Sequence, residues 1–261
     1  MDRLFKSTPR QFFILSLFIL FSASCQSEKI NIDDYSPDVL ITWNKKIMDL
    51  AIQEDGLTTL KGLRTEALAN IAAHNALNAI VPVYTFYEYS GSLSDADPVV
   101  AVSQAIYEIT TTSYPEHDSD LKEILTNQLA KAPDGNAKQL GIQLGKETAA
   151  GILKVRKKDD WDGEADYTWH PMAPGVYAEF NEHSGTPEGF VFGAGWAEAQ
   201  PFMLTSQDQF RSVPPPDILS EEYTKAFNEV KELGSTLSTE RTADQAHLAM
   251  WWKDFVEKSH N

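Results

Sequence analysis

The densest group of possible ligands in this sequence is Asp159-Asp160-Trp161-Asp162-Gly163-Glu164-Ala165-Asp166. Carboxylates at such spacing offer the hard oxygens that calcium prefers. Setting Asp160, Asp162 and Glu164 on the helix–loop–helix calcium template puts Ala165 where the sharp turn needs glycine, so the stretch is expected to be an acidic exposed turn. His117, Asp118 and Asp120 open an expected helix, where acidic side chains complement the positive end of the dipole; capping explains them better than a metal. His74 lies among small helical residues and reads as a hydrogen-bonded core histidine rather than a base, and His247 is compatible with either face of its helix. A serine nucleophile needs a strained glycine elbow, and no G-x-S-x-G occurs; phosphate-loop and dinucleotide glycine motifs are also absent. No catalytic, cofactor-binding or metal-ligating residue is therefore assigned.

Charge narrows the partners. The formal net charge is −16. The chain opens with Arg3, Lys6 and Arg10 followed by an apolar run from Phe12 to Phe21, the layout of a secretory signal and too short to span a membrane. Ser22-Ala23-Ser24-Cys25 then resembles a bacterial lipobox, with Ser22 where an aliphatic residue is usual. The expectation is a signal peptide over residues 1–24, cleavage before Cys25 and acylation of that thiol, making the mature protein a membrane-anchored lipoprotein of the bacterial cell envelope. Plain secretion is the alternative.

Removing Arg3, Lys6, Arg10 and Asp2 with the signal takes the net charge from −16 to −18. So acidic a surface repels nucleic acid, and no polybasic stripe offsets it. Only Arg64, Arg156, Arg211 and Arg241 remain as arginines. Cys25 is the sole cysteine, so no internal disulfide can brace the fold.

The elements that must position these residues are helical. After a polar tether over 25–36, Val39, Trp43, Ile47 and Leu50 recur at helical spacing from Pro37 onward. Ala67, Leu68, Ile71, Ala72, Leu77 and Ile80 mark a second helix within 63–89, with alanines between that let another helix approach closely. Pro82 stops it, and Tyr84, Phe86, Tyr87 and Tyr89 follow. Further helices are expected at about 97–113, with Asp97 as N-cap and Pro98 in the first turn, and at 118–131, 134–157, 219–233 and 239–257. No sustained strand alternation precedes Trp161. Residues 158–216 are rich in Gly, Pro and aromatics and form one long irregular loop. The fold class is all-α: a bundle of about six or seven helices over residues 37–261, with that loop packed on it.

Four stretches follow one another in a set order: Arg64-Thr-Glu-Ala67 through Ile80; Gly145 to Arg156 with the Asp159–Gly163 turn; Gly195-Trp196, Pro201-Phe202, Gln209-Phe210-Arg211 and Pro214-Pro215-Pro216; and Tyr223, Phe227, Val230 and Gly234, then Ser238 to Gln245 and Trp251-Trp252. In that order they resemble vanadium-dependent haloperoxidases, which are themselves similar to type-2 phosphatidic acid phosphatases. The first looks like an early helix of that family, the second like its helix ending in Arg and an Asp-Gly turn, and the third like its loop. The fourth is the closest of all.

The resemblance implies vanadate-assisted oxidation of halide by peroxide, with phosphatase chemistry as the family's other activity. In that family the vanadate-binding half carries a Lys with a later Arg-Pro, a Ser-Gly-His, and a late Arg before the ligand His. None of these occurs here, and His183-Ser184-Gly185 has the letters in another order and reads as a solvated turn. The resemblance thus covers the family's N-terminal helical half and implies no vanadate site in this chain. One face remains to be accounted for: Leu248, Ala249, Trp251, Trp252, Phe255 and Val256 form a wide apolar stripe on the last helix. It is covered either by the domain's own helices or by a C-terminal catalytic half packing on Leu248, Trp251, Trp252 and Phe255.

Overall fold

A computed structural model describes residues 30, 34–55, 60–163, 170, 171, 173, 174, 176 and 193–258, the backbone alone at 55 and 253–258. The expected signal over residues 1–24, Cys25, Glu164 to Asp166 and His183-Ser184-Gly185 lie outside the described residues. The described chain is all-α, with seven α-helices and no sheet: α1 (Asp38–Asp55), α2 (Leu60–Ile80), α3 (Pro98–Ser113), α4 (Asp118–Leu129), α5 (Asn136–Val155), α6 (Glu221–Gly234) and α7 (Ala243–Lys258).

The face of α1 expected from its spacing is the buried one. Val39, Trp43, Ile47 and Leu50 all face the core, each worth about 1.5–3 kcal/mol by burial, while Ile41, Met48 and Ile52 remain exposed on the other side. On α2 the buried stripe is rotated toward the alanines. Ala69, Ala72, Ala73, Ala76 and Ala79 are buried with Leu68 and Ile80, whereas Ala67, Ile71 and Leu77 are only half-buried. Small side chains win that position because α3 and α5 both pack against α2.

The tightest approach is between α3 and α5, and it depends on two glycines one turn apart. A Cβ at Gly145 would lie 2.6 Å from the Ala101 carbonyl oxygen and 2.8 Å from the Ala105 nitrogen. One at Gly141 would lie 2.8 Å from the Asp97 oxygen. Helix α3 begins as expected: the Asp97 carboxylate accepts from the Val100 N–H at 2.9 Å, with Pro98 in the first turn.

Helices α6 and α7 are placed differently. No residue of α6 is buried, and the described side chains of α7 are exposed apart from a half-buried Ala246. Neither helix packs on the five-helix bundle formed by α1 to α5. Helices α6 and α7 thus form an arm that leaves the bundle rather than adding two helices to its core.

Candidate functional site

Two buried asparagines on α2 begin the construction of the site. Asn78 Oδ1 accepts from the N–H groups of Val83 (2.9 Å) and Tyr84 (2.7 Å), and its Nδ2 donates to the Tyr84 carbonyl at 2.6 Å. Asn75 Oδ1 accepts from the Tyr87 N–H at 3.0 Å while its Nδ2 donates to the Tyr87 carbonyl at 2.8 Å. Each amide thereby substitutes for a strand partner and satisfies backbone that would otherwise be unpaired. The aromatic stretch after Pro82 is thus pinned to α2, with Tyr87 over the end of α5.

There Tyr87 meets Arg156, the residue that follows α5 and is almost wholly buried. Its Nη1 donates to the Gln200 carbonyl at 2.8 Å, and Nη2 donates to the Pro201 carbonyl at 3.0 Å and to the Tyr87 hydroxyl at 2.5 Å. The Phe202 ring lies 3.8 Å from the guanidinium carbon. Two carbonyl dipoles, a phenol and a ring face replace part of the water this charge has lost, and its Nε meets no acceptor among the described residues. Arg156 therefore clamps residues 200–202 against the bundle.

Arg64 of α2 forms the second cationic node beside it. Its Nε and Nη2 donate to both oxygens of Asp159 at 3.0–3.1 Å, and Nη2 also reaches the Arg156 carbonyl at 3.0 Å. The two side chains retain 13% and 4% exposure, so the pair is largely desolvated. Trp161 covers the outer side of the Arg64 guanidinium at 5.1 Å. The acidic run consequently divides: Asp159 is a buried anchor rather than part of an exposed turn, because Arg64 draws it inward. Asp160 and Asp162 do lie exposed in a turn closed by the Gly163 N–H donating to the Asp160 carbonyl at 3.1 Å.

Between these nodes lies a mostly apolar cleft of about 230 Å³, lined by Trp161, Trp196, Pro201, Phe202 and Leu204 with Arg64 and Gln207 at its polar side. Trp196 stands on a short 3-10 turn, Ala194–Ala197, that starts at Gly193 with φ 65°. That positive φ lies in the left-handed region that favours glycine, and a Cβ at Gly193 would also meet the end of the Leu60 side chain at 2.7 Å. The Trp196 Nε1 is buried and meets no acceptor among the described residues. The sequence marks none of this, since Arg64 and Asp159 are 95 residues apart.

The other candidates resolve as follows. His74 is half-buried, its Nε2 3.0 Å from the Thr85 carbonyl oxygen, consistent with a hydrogen-bonded histidine at the edge of the core. His117 Nε2 lies 2.9 Å from Glu54 Oε1 at the end of α1, and Glu116 comes close enough to complete a group of three possible metal ligands. His117 and Asp118 do not cap α4 through their side chains: Asp118 accepts from the Tyr107 hydroxyl at 2.6 Å, and Asp120 pairs with Lys46 at 3.7 Å. His247 is exposed. Arg241 donates from Nη1 to the Leu233 carbonyl at the end of α6, at 3.0 Å.

On α7, Leu248, Trp251 and Trp252 are 55–60% exposed; of Phe255 and Val256 only the backbone is described. No helix among the described residues is long and apolar enough to cross a membrane. No family model, curated protein or solved structure matches this chain.

Proposed function

We propose that the chain is a non-catalytic helical scaffold of the bacterial envelope, related to the N-terminal half of vanadium-dependent haloperoxidases, whose α6–α7 arm receives a polypeptide carrying the oxyanion chemistry. The observation that carries this reading is the arm itself. Phe227, Val230, Leu248, Trp251 and Trp252 are all more than half exposed, and apolar area of this kind marks an interaction surface. These residues also belong to the part of the sequence that most closely resembles the family.

The arginines support the same reading. Vanadate, like phosphate, is held by several cationic donors converging on one anion. Here Arg64 faces Asp159, and Arg156 and Arg241 are engaged with backbone carbonyls. The signal-like N-terminus and Cys25 support export and a lipid anchor, and the acidic surface argues against a nucleic-acid partner. A free-standing binding module of the envelope is the second reading, and the cleft beside Arg64 favours it.

The test is to purify the chain and measure orthovanadate binding by vanadium NMR together with bromide oxidation. Neither is expected, and tight binding or turnover by the chain alone overturns the proposal. A photo-crosslinker placed at Trp251 in cells should then capture a polypeptide that, purified and mixed with the chain, confers vanadate-dependent bromide oxidation. A captured polypeptide without that effect would favour the binding module.

A further inference from the structure

We propose that the tip after α2, Pro82-Val83-Tyr84-Thr85, rests in the headgroup region of the lipid bilayer to which the chain is anchored. The inference rests on the acylation of Cys25 proposed above and adds which face of the bundle meets the membrane. The place where the anchor joins the fold decides this. Ile30 packs against the core cluster that holds Ala76, Ala79 and Ile80, and with Leu77, Val81, Val83 and Tyr84 it lines one apolar groove of about 200 Å³. Cys25 stands five residues before Ile30, and five residues of fully extended chain reach at most about 18 Å. An acylated Cys25 therefore holds this groove, and the tip beside it, close to the bilayer.

The tip itself is suited to leaving water. Val83 and Tyr84 are 56% and 74% exposed, and a tyrosine, apolar along its ring and polar at its end, favours the membrane interface. Backbone is what usually keeps a loop out of a bilayer, because lipid cannot satisfy N–H and C=O groups. Here Pro82 has no N–H, and Asn78 accepts from the N–H groups of Val83 and Tyr84 and donates to the Tyr84 carbonyl. His74 Nε2 lies 3.0 Å from the Thr85 carbonyl oxygen. Much of the tip's backbone is thus satisfied from within α2. Charge agrees: in a chain of net charge −16, which anionic lipid repels, residues 67–87 contain no Asp, Glu, Lys or Arg, so the contact suits a zwitterionic surface. Glu88, the next charged residue, is exposed and keeps the contact at headgroup depth.

The experiment uses the full chain purified from cell membranes, with the mass of its N-terminal peptide recording whether Cys25 is acylated. Acylation consumes that thiol, so a single introduced cysteine carries the environment-sensitive dye NBD, at Thr85→Cys, at Leu248→Cys on the arm or at Asn127→Cys on α4, all exposed positions. In phosphatidylcholine vesicles containing doxyl-labelled phosphatidylcholine, the dye at Thr85→Cys should shift its emission to shorter wavelength and be quenched, whereas at Leu248→Cys and Asn127→Cys it should do neither. Val83→Ser with Tyr84→Ser should abolish the shift and the quenching at Thr85→Cys while leaving circular dichroism unchanged. A peptide without the acyl mass overturns the anchor and this contact together. With the acyl mass present, an unquenched dye at Thr85→Cys, equal quenching at all three positions, or quenching that survives the double substitution overturns the contact alone and leaves the anchor standing. Quenching at Leu248→Cys in place of Thr85→Cys also overturns it and puts the arm on the bilayer.

Discussion

The bundle and the arm are built from similar helical sequence and yet end in opposite states. Helix α5 has a modest apolar face, Leu144, Ala149 and Ile152, and buries it because Gly141 and Gly145 let α3 come within backbone contact. Helix α6 has the more regular amphipathic pattern, with Tyr223, Phe227 and Val230 on one side and Ser220 as N-cap, and buries nothing. Amphipathicity therefore states that a helix has a face to cover, and only small residues at a crossing state which neighbour covers it. In this chain the small residues lie on α2, α3 and α5, and those three helices are the ones that pack most closely.

The sharpest way to break the contrast is to remove the ion pair that ties the loop to the bundle. Asp159→Ala leaves the Arg64 charge largely buried without its carboxylate, and breaking such a pair costs about 3–5 kcal/mol. The expected result in chemical denaturation is a loss of that size. A loss under about 1 kcal/mol would mean that the pair is solvated and the loop loosely held.

Next in size is Gly145→Ala. The added methyl meets the Ala101 carbonyl and the Ala105 nitrogen, both backbone, so a helix must move; overpacking of this kind costs about 1–3 kcal/mol. In thermal unfolding the midpoint should fall by roughly 2–4 °C per kcal/mol. The same change at Gly234, where the nearest atom is 3.7 Å away on a side chain, should leave the bundle transition in place.

The arm supplies the smaller effects. Phe227→Ser and Val230→Ser remove apolar groups that are 58% and 71% exposed, and surface changes of this sort stay within about 0.5 kcal/mol. A drop of 2 kcal/mol or more in bundle stability would show that the arm folds back onto α1 to α5 in solution and would erase the distinction between the two regions.

The order and approximate limits of all seven helices were legible because each has a period, a cap or a proline at its edge: Asp97-Pro98 before α3, Pro115 before α4 and Pro133 before α5. The inward face of α1 was legible for the same reason. Three things were not. Asp159 looked like one more exposed carboxylate, since its burial depends on Arg64 far away in sequence. The cleft was hidden because Trp196, Arg64 and Phe202 come from three separate segments joined by Arg156. The separation of the arm was invisible because a helix's own residues do not record whether a partner is present.

The smallest expected effect concerns a carboxylate on α2, where the bundle makes helix burial costly for a charge. Desolvation holds the Glu66 carboxyl above its ordinary value, against an opposing hydrogen bond from Asn70. The folded state then keeps a proton that the unfolded chain has already released, so the penalty is absent below the ordinary carboxylate range. It develops as pH rises toward the raised value and stays constant above it. Glu66→Gln removes the charge and keeps an oxygen for Asn70. Its stability relative to the parent should therefore be unchanged in acid and become higher at neutral pH, read as a pH-dependent difference between two denaturation midpoints. A difference that is largest in acid would have the opposite sign and would mean that Glu66 gains more from a partner than it loses by leaving water.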